Sequence, residues 1–260
     1  MTGADFKHKL HAGEKLFGTC ITQPSPLWAK IIVEIKLDFV FIDNEHWPFS
    51  RNDIANLCQI YTNAGIIPIV RIPQPDPFLA CMAVDSGALG IVAPYVEEVE
   101  QVKNLVGAVK YSPLKGKILR AGLEQDQWHK NTKSYLQKKN EHRIVIINIE
   151  STPALDKLHE LVDVPGLDAL LIGPHDLTLS LGIVNQYEHP NFLKAVERIA
   201  KSARQKKIGA GIHAWWGIEQ EKKLLALGLN MLIHSSDHYA AMTKLNEDFS
   251  QLKNFVTIPA

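Results

Sequence analysis

Cysteine is scarce in this 260-residue chain: Cys20, Cys58 and Cys81 lie far apart and none is in CxxC spacing. An odd, sparse set argues against a disulfide framework or a zinc knuckle, and leads one to expect a reducing cytoplasm. Long apolar runs are also missing. Ala169 to Ile172, with Leu167 nearby, falls far short of the roughly 20 residues that span a bilayer. The opening stretch MTGADFKHKLHAGEKL has charges but no apolar segment behind them, so it does not read as a secretory leader. Nor does either charge sign dominate: 28 Lys and Arg meet 28 Asp and Glu. Zero net charge removes the electrostatic footprint of a nucleic-acid binder and makes a polybasic membrane contact unexpected. An acidic substrate must then be held by local groups rather than by the global field. There is no low-complexity linker, composition break or visible repeat, so residues 1–260 read as one domain.

What the chain does contain is a regular alternation. Short β-rich runs occur at 16–22, 38–43, 66–72, 88–94, 143–150, 168–173, 208–214 and 230–236. Most are nearly continuous apolar runs, as expected of strands covered on both faces in a parallel sheet. Amphipathic stretches separate them, among them 51–65, 97–112, 189–209 and 219–228. Eight strand–helix units in about 250 residues predict an α/β fold, a (β/α)8 TIM barrel; a doubly wound open sheet has the same periodicity. The stretch from about Tyr111 to Gln137 does not fit a simple helix, and an excursion of that length is expected to serve an active-site mouth.

In a barrel, functional groups collect where strands end, and here ionisable residues do so at nearly every strand. The second run ends in Asp43, Asn44, Glu45 and His46, the third in Arg71, the fifth in Asn148 and Glu150, the sixth in Gly173, Pro174, His175 and Asp176. Glu150 and Asp176 follow consecutive strands and could share a hard divalent cation such as Mg²⁺ or Mn²⁺; alternatively each is a solvated acid, or Asp176 a helix cap. Asp43 and His46 could form a carboxylate–imidazole dyad for proton transfer, or simply a turn with an exposed histidine. Arg71 suits a carboxylate or a developing enolate oxygen, or a salt bridge to a neighbouring strand-end acid. The Gly173–Asp176 turn could present N–H groups to an anion or be an ordinary strand-to-helix turn. His213, His234, Trp215 and Trp216 could line a pocket or merely pack.

Taken together, the motifs FVFIDNEHWP (39–48), IVRIP (69–73), INIES (147–151), LLIGPHDLTLSLG (170–182) and HSSD (234–237) resemble the HpcH/HpaI aldolase family, the metal-dependent (class II) pyruvate aldolases. The likeness runs in order along nearly the whole chain. It implies a barrel of the phosphoenolpyruvate/pyruvate superfamily type and retro-aldol cleavage of a 4-hydroxy-2-oxo acid to pyruvate and an aldehyde. It further implies that Glu150 and Asp176 hold Mg²⁺, Mn²⁺ or Co²⁺, which with Arg71 would stabilise an enolate oxygen. His46, oriented by Asp43, would transfer protons, and Glu45 would sit behind a metal-bound water. The N–H groups of Gly173, His175 and the rest of that turn would take the pyruvate carboxylate; Asn148 and, from its strand-end position rather than from the resemblance, His213 are expected beside the substrate. No Schiff-base lysine is needed.

The chain departs from the family in three places. The loop motif after the fourth strand survives only as SPLKGKILR; a glutamine becomes Asn148; and His213 and His234 stand where relatives look small or apolar. The rival readings are an acyl-CoA lyase of the citrate lyase beta type and a catalytically altered barrel that only binds a small 2-oxo acid. The resemblance also implies a homo-oligomer, often a hexamer with exchanged C-terminal helices, and residues 238–256 are amphipathic enough to serve.

Overall fold

In the computed structural model, which describes residues 1–256, eight parallel strands close into a barrel in sequence order. They are β1 (Leu16–Ile21), β2 (Phe39–Asp43), β3 (Ile67–Arg71), β4 (Gly90–Ala93), β5 (Ile144–Ile149), β6 (Ala169–Ile172), β7 (Gly209–Ala214) and β8 (Met231–Ser236). The helices are α1 (Gly3–Ala12), α2 (Pro26–Val33), α3 (Arg51–Asn63), α4 (Pro77–Asp85), α5 (Val99–Lys110), α6 (Gly116–Gln125), α7 (Thr132–Lys139), α8 (Thr152–Asp156), α9 (Leu158–Leu161), α10 (Pro174–Ser180), α11 (Pro190–Gln205), α12 (Ile218–Ala226) and α13 (Asp237–Val256). Residues 257–260 of the expected domain lie outside the described residues. Every strand falls within two residues of its expected run. The β1–β8 pairing supplies the closure that periodicity could not, and rules out the open sheet.

Side-chain alternation sorts each strand into two layers. Phe39, Phe41, Ile67, Ile69, Ile146 and Leu171 fill the barrel, while Val40, Ile42, Val70, Ile147, Leu170 and Ile172 pack against the helices. Continuing the inward series toward the strand ends gives Asp43 after Phe41, Arg71 after Ile69, Asn148 and Glu150 after Ile146, and Gly173 after Leu171. The period that builds the core therefore also delivers the polar groups to the C-terminal rim.

Helix α1 plugs the opposite mouth with Phe6 and Leu10, both fully buried in the barrel cluster. Gly209 makes room for it, since a Cβ there would lie 2.3 Å from Leu10 Cδ1. The long excursion corrects an expectation. It leaves the C-terminal end of α5 and returns to the start of β5, so it belongs to the barrel's N-terminal side rather than to the mouth. It contains α6 and α7; Leu119 and Leu123 rest on Gly107 of α5, and Trp128 stacks on Tyr111 at 4.8 Å. All three cysteines are buried and unpaired. No helix among the described residues is long and apolar enough to cross a membrane.

Stability on the N-terminal side centres on Asp168, 1% exposed. Its Oδ2 meets Lys110 Nζ and accepts the Val145 N–H at 2.8 Å, while Oδ1 lies 3.2 Å from His11 and 3.3 Å from Lys7. Burial alone would raise this carboxyl, but Lys110, His11 and Lys7 hold it at about 2. Because the folded value lies below the unfolded one, the stabilisation is full above about pH 4 and is lost as pH falls toward 2, a swing of about 2–3 kcal/mol. Asp168→Asn strands Lys110 and is expected to cost about 3–5 kcal/mol in urea unfolding at pH 7. A cost below about 1 kcal/mol would contradict this assignment.

Candidate active site

Two clusters meet at the C-terminal rim. The first is built on Arg71, whose Nε and Nη2 donate to Asp43 Oδ1 and Oδ2 at 2.8 and 2.7 Å. Its Nη2 also donates to His46 Nδ1 at 2.7 Å, and Nη1 lies 3.1 Å from Glu45 Oε2. Asp43 Oδ1 further accepts the backbone N–H groups of Glu45 and His46, so the turn reading of Asp43 holds as well. Burial by itself would raise the Asp43 carboxyl, but Arg71's hydrogen bonds and charge, with His46, keep it below the ordinary value.

The expected Asp43–His46 dyad needs correction. His46 Nδ1 stands 3.5 Å from Asp43 Oδ2, too far for a hydrogen bond. The guanidinium takes that place, and because it can only donate, Nδ1 must be the acceptor. Arg71 thus sets the tautomer and leaves the imidazole proton on Nε2. Burial raises the Glu45 carboxyl; Arg71 lowers it, while Asp43 and Asp176 push it up.

The second cluster is the carboxylate pair. Glu150 is 3% exposed at the end of β5; its Oε1 accepts the Tyr95 N–H at 2.6 Å and its Oε2 accepts from Asn148 Nδ2 at 2.8 Å. Tyr95 also reaches Asp176, donating from its hydroxyl to Oδ1 at 2.8 Å, so one residue ties the two acids together. Tyr95 sits at φ 47°, a left-handed conformation that a non-glycine residue holds only when its contacts require it. Gly173 is demanded by Glu150, because a Cβ there would lie 2.1 Å from Oε2. Asp176 is the third residue of α10, and Gly173 occupies the capping position where Asp176 could have stood.

Burial first, then the charges of Asp176 and Glu45, push the Glu150 carboxyl up to about 7 against its two hydrogen bonds. Asp43, Glu45 and His46 also offer three ligand atoms within 4.8 Å of one another. Arg71, however, already contacts all three and compensates their charge. Among the described residues no Lys or Arg lies within ion-pair distance of Glu150 or Asp176. Two uncompensated hard oxygen donors, one of them buried, fit a divalent cation better than the arginine-filled group does.

The remaining expected residues divide. Asn148 is buried beside Glu150, with its Oδ1 unpartnered. His175 is exposed, and its Nδ1 donates to Asn185 Oδ1 at 2.9 Å. Pro174 has no N–H, so the turn's available donors do not include it. His213 faces inward, 5.8 Å from the Phe41 ring, and its Nε2 donates to the Ser235 carbonyl at 2.9 Å. Burial pushes this imidazole down to about 4. His234 does not line the pocket: Ile233 faces the barrel, so His234 faces α12, where its Nδ1 lies 2.8 Å from the buried Glu221. Asp237 accepts from Thr22 N, Thr22 Oγ1 and Trp28 Nε1, fastening α13 to β1 and α2.

Sequence reasoning missed Tyr95. The one signal was its position, directly after the Pro94 that ends the fourth strand run, at the rim height of the other groups.

The model of the HpcH/HpaI aldolase/citrate lyase family matches residues 19–242. The chain is 32% identical to a 2-dehydro-3,6-dideoxy-6-sulfogluconate aldolase from Pseudomonas putida, covering 91% of this chain and 92% of that one. It is 28% identical to a 2-keto-3-deoxy-L-rhamnonate aldolase from Klebsiella pneumoniae, covering 92% of both. The crystal structure of an HpcH/HpaI aldolase from Desulfitobacterium hafniense superposes with a TM-score of 0.83 at 28% identity, over 98% of this chain and 97% of that one.

Proposed function

The chain belongs to the HpcH/HpaI aldolase/citrate lyase family, and from that premise we propose that it cleaves a 4-hydroxy-2-oxo acid into pyruvate and an aldehyde, with Glu150 and Asp176 holding a divalent cation. It is an enzyme of the aldolase type. The observation that carries the reading is the pair Glu150 and Asp176, bridged by Tyr95 and without a basic partner among the described residues. A bound Mg²⁺, Mn²⁺ or Co²⁺ supplies positive charge that lowers the cost of forming the enolate of a 2-oxo acid.

The chain's own groups supply the rest. Arg71 has Nε and Nη2 committed to Asp43 and His46 and Nη1 beside Glu45 Oε2 at 3.1 Å, so the second N–H of Nη1 is the donor left for a developing oxyanion. His46 is mostly exposed and presents an Nε2–H that can donate a hydrogen bond to a substrate oxygen. Glu45, with its raised carboxyl, is the neighbouring group able to accept a proton from a substrate hydroxyl. The N–H groups of His175 and Asp176 receive no side-chain cap and suit the substrate carboxylate. The chemistry calls for no lysine.

A coupled assay of pyruvate release tests this reading. EDTA is expected to abolish turnover and added Mg²⁺, Mn²⁺ or Co²⁺ to restore it, with no cleavage of malyl-type CoA thioesters. Turnover that survives EDTA overturns the reading.

The same family premise extends to assembly. Helix α13 is fastened at its start, where Asp237 accepts from Thr22 and Trp28. Beyond it, Met242, Leu245, Phe249 and Leu252 form a helical stripe, all between 48% and 61% exposed. The barrel of the same chain leaves this stripe uncovered, and Leu27 and Ile31 of α2 border the cleft beside it. We infer that a second copy of the chain covers the stripe in a homo-oligomer. Sedimentation of Phe249→Asp is expected to show dissociation, and a monomeric wild-type protein at micromolar concentration overturns the inference.

A further inference from the structure

One side of the mouth differs in kind from the carboxylate side. By register, Ile149 pairs with Ile172 and Ile172 with Ile212, so Glu150, Gly173 and His213 stand one step further along at one height. His213 therefore faces the reacting zone from β7. Its Nε2 proton is spent on the Ser235 carbonyl, which leaves Nδ1 as an acceptor with no hydrogen-bond partner among the described residues. Trp215 meets the His213 ring edge-on at 5.2 Å and is braced by Trp216 at 5.4 Å, which stacks on Tyr187 at 4.1 Å. The Phe41 ring lies 5.8 Å from His213 and carries the Arg71 guanidinium over its face at 5.2 Å, so this wall borders the Arg71 cluster.

An aromatic face beside a single fixed acceptor suits a chain of C–H groups carrying a hydroxyl. It does not suit an anionic tail, because residues 209–217 and 231–239 include no Lys or Arg and the nearby Arg71 is already paired with Asp43 and Glu45. We propose that this wall selects the aldehyde half of the substrate, His213 Nδ1 accepting a hydrogen bond from a hydroxyl on a neutral, hydroxylated carbon chain that lies along Trp215. The proposal rests on the aldolase reading above and adds the class of aldehyde to it. His213 acts here as a specificity-determining residue and takes no part in bond cleavage.

The test runs the reaction in the aldol direction with pyruvate, Mg²⁺ and three aldehydes: lactaldehyde, propanal and succinic semialdehyde. The wild-type kcat/KM for lactaldehyde is expected to exceed that for propanal by at least about tenfold, with the semialdehyde poorest. His213→Leu is expected to bring the lactaldehyde-to-propanal ratio close to one, and His213→Gln, which keeps an acceptor, to retain part of the preference. Circular dichroism establishes that each variant is folded, and Gln serves if Leu is not. A ratio untouched by either substitution, or a wild-type preference for the semialdehyde, overturns the proposal while leaving the aldolase reading intact. Failure of all three aldehydes to react overturns both.

Discussion

Glu150→Gln is expected to lower pyruvate release by about a thousandfold or more, equivalent to losing about 4 kcal/mol of transition-state stabilisation, while making the cation-free protein more stable at pH 8. The two effects have one cause. Burial and the charges of Asp176 and Glu45 raise the Glu150 carboxyl to about 7, against 4.5 for an ordinary glutamate. Between those values the folded protein binds a proton that the unfolded chain does not. Stability from this group therefore falls as pH rises from about 4.5 through 7, by about 3 kcal/mol in the absence of a cation. Glutamine carries no charge to bury. Its Oε1 can accept the Tyr95 N–H, and its Nε2 can donate to Asn148 Oδ1 once that amide turns over, which keeps one hydrogen bond between the two side chains. Thermal melts in EDTA at pH 5 and pH 8 measure this. The wild type is expected to lose stability between the two and the variant to lose much less. A variant less stable than wild type at pH 8 contradicts the assignment.

Arg71→Met is expected to lower turnover by at least about a hundredfold and to destabilise the fold by about 3–5 kcal/mol. Asp43 is 4% exposed and relies on this guanidinium for both carboxylate oxygens. With the cation gone, a buried charge is left with two backbone N–H groups, and His46 loses the donor that fixes its tautomer. Adding Asp43→Asn should recover much of the stability without recovering activity, because the stranded charge is removed while His46 stays unanchored and the guanidinium is still missing. Urea unfolding of the two single variants and the double variant measures the coupling. Additive losses would mean that the pair is not a unit.

The strands were legible because fully covered parallel strands are written as unbroken apolar runs, and their ends marked Asp43, Arg71, Asn148, Glu150 and Asp176 as rim groups. Inward or outward facing was legible in principle from the two-residue period: His213 falls in line with Gly211 and Gly209, whereas His234 follows the inward Ile233 and must turn to Glu221. The pairings inside the site were not legible. The sequence places Asp43 three residues before His46, and that proximity suggests a dyad, yet the bidentate geometry of Arg71, 28 residues away, claims the carboxylate and the imidazole together. Tyr95 was missed because its contribution is a backbone N–H and a hydroxyl aimed by an unusual φ, which no residue type announces. Helix α1 escaped because Phe6 and Leu10 are too few to establish a period. The 111–137 excursion was misplaced because a long insertion reads the same on either end of a barrel; only the direction of the chain leaving α5 assigns it to the N-terminal side.

Two carboxylate groups at the rim, Glu150 with Asp176 and Asp43 with Glu45, compete for the cation. A crystal of the protein soaked in Mn²⁺ and pyruvate, with the ion located by anomalous scattering, decides between them. One ion is expected, with oxygens of Glu150 and Asp176 at about 2.0–2.6 Å and Arg71 still paired with Asp43. An ion held instead by Asp43, Glu45 and His46, with Arg71 displaced, would contradict it.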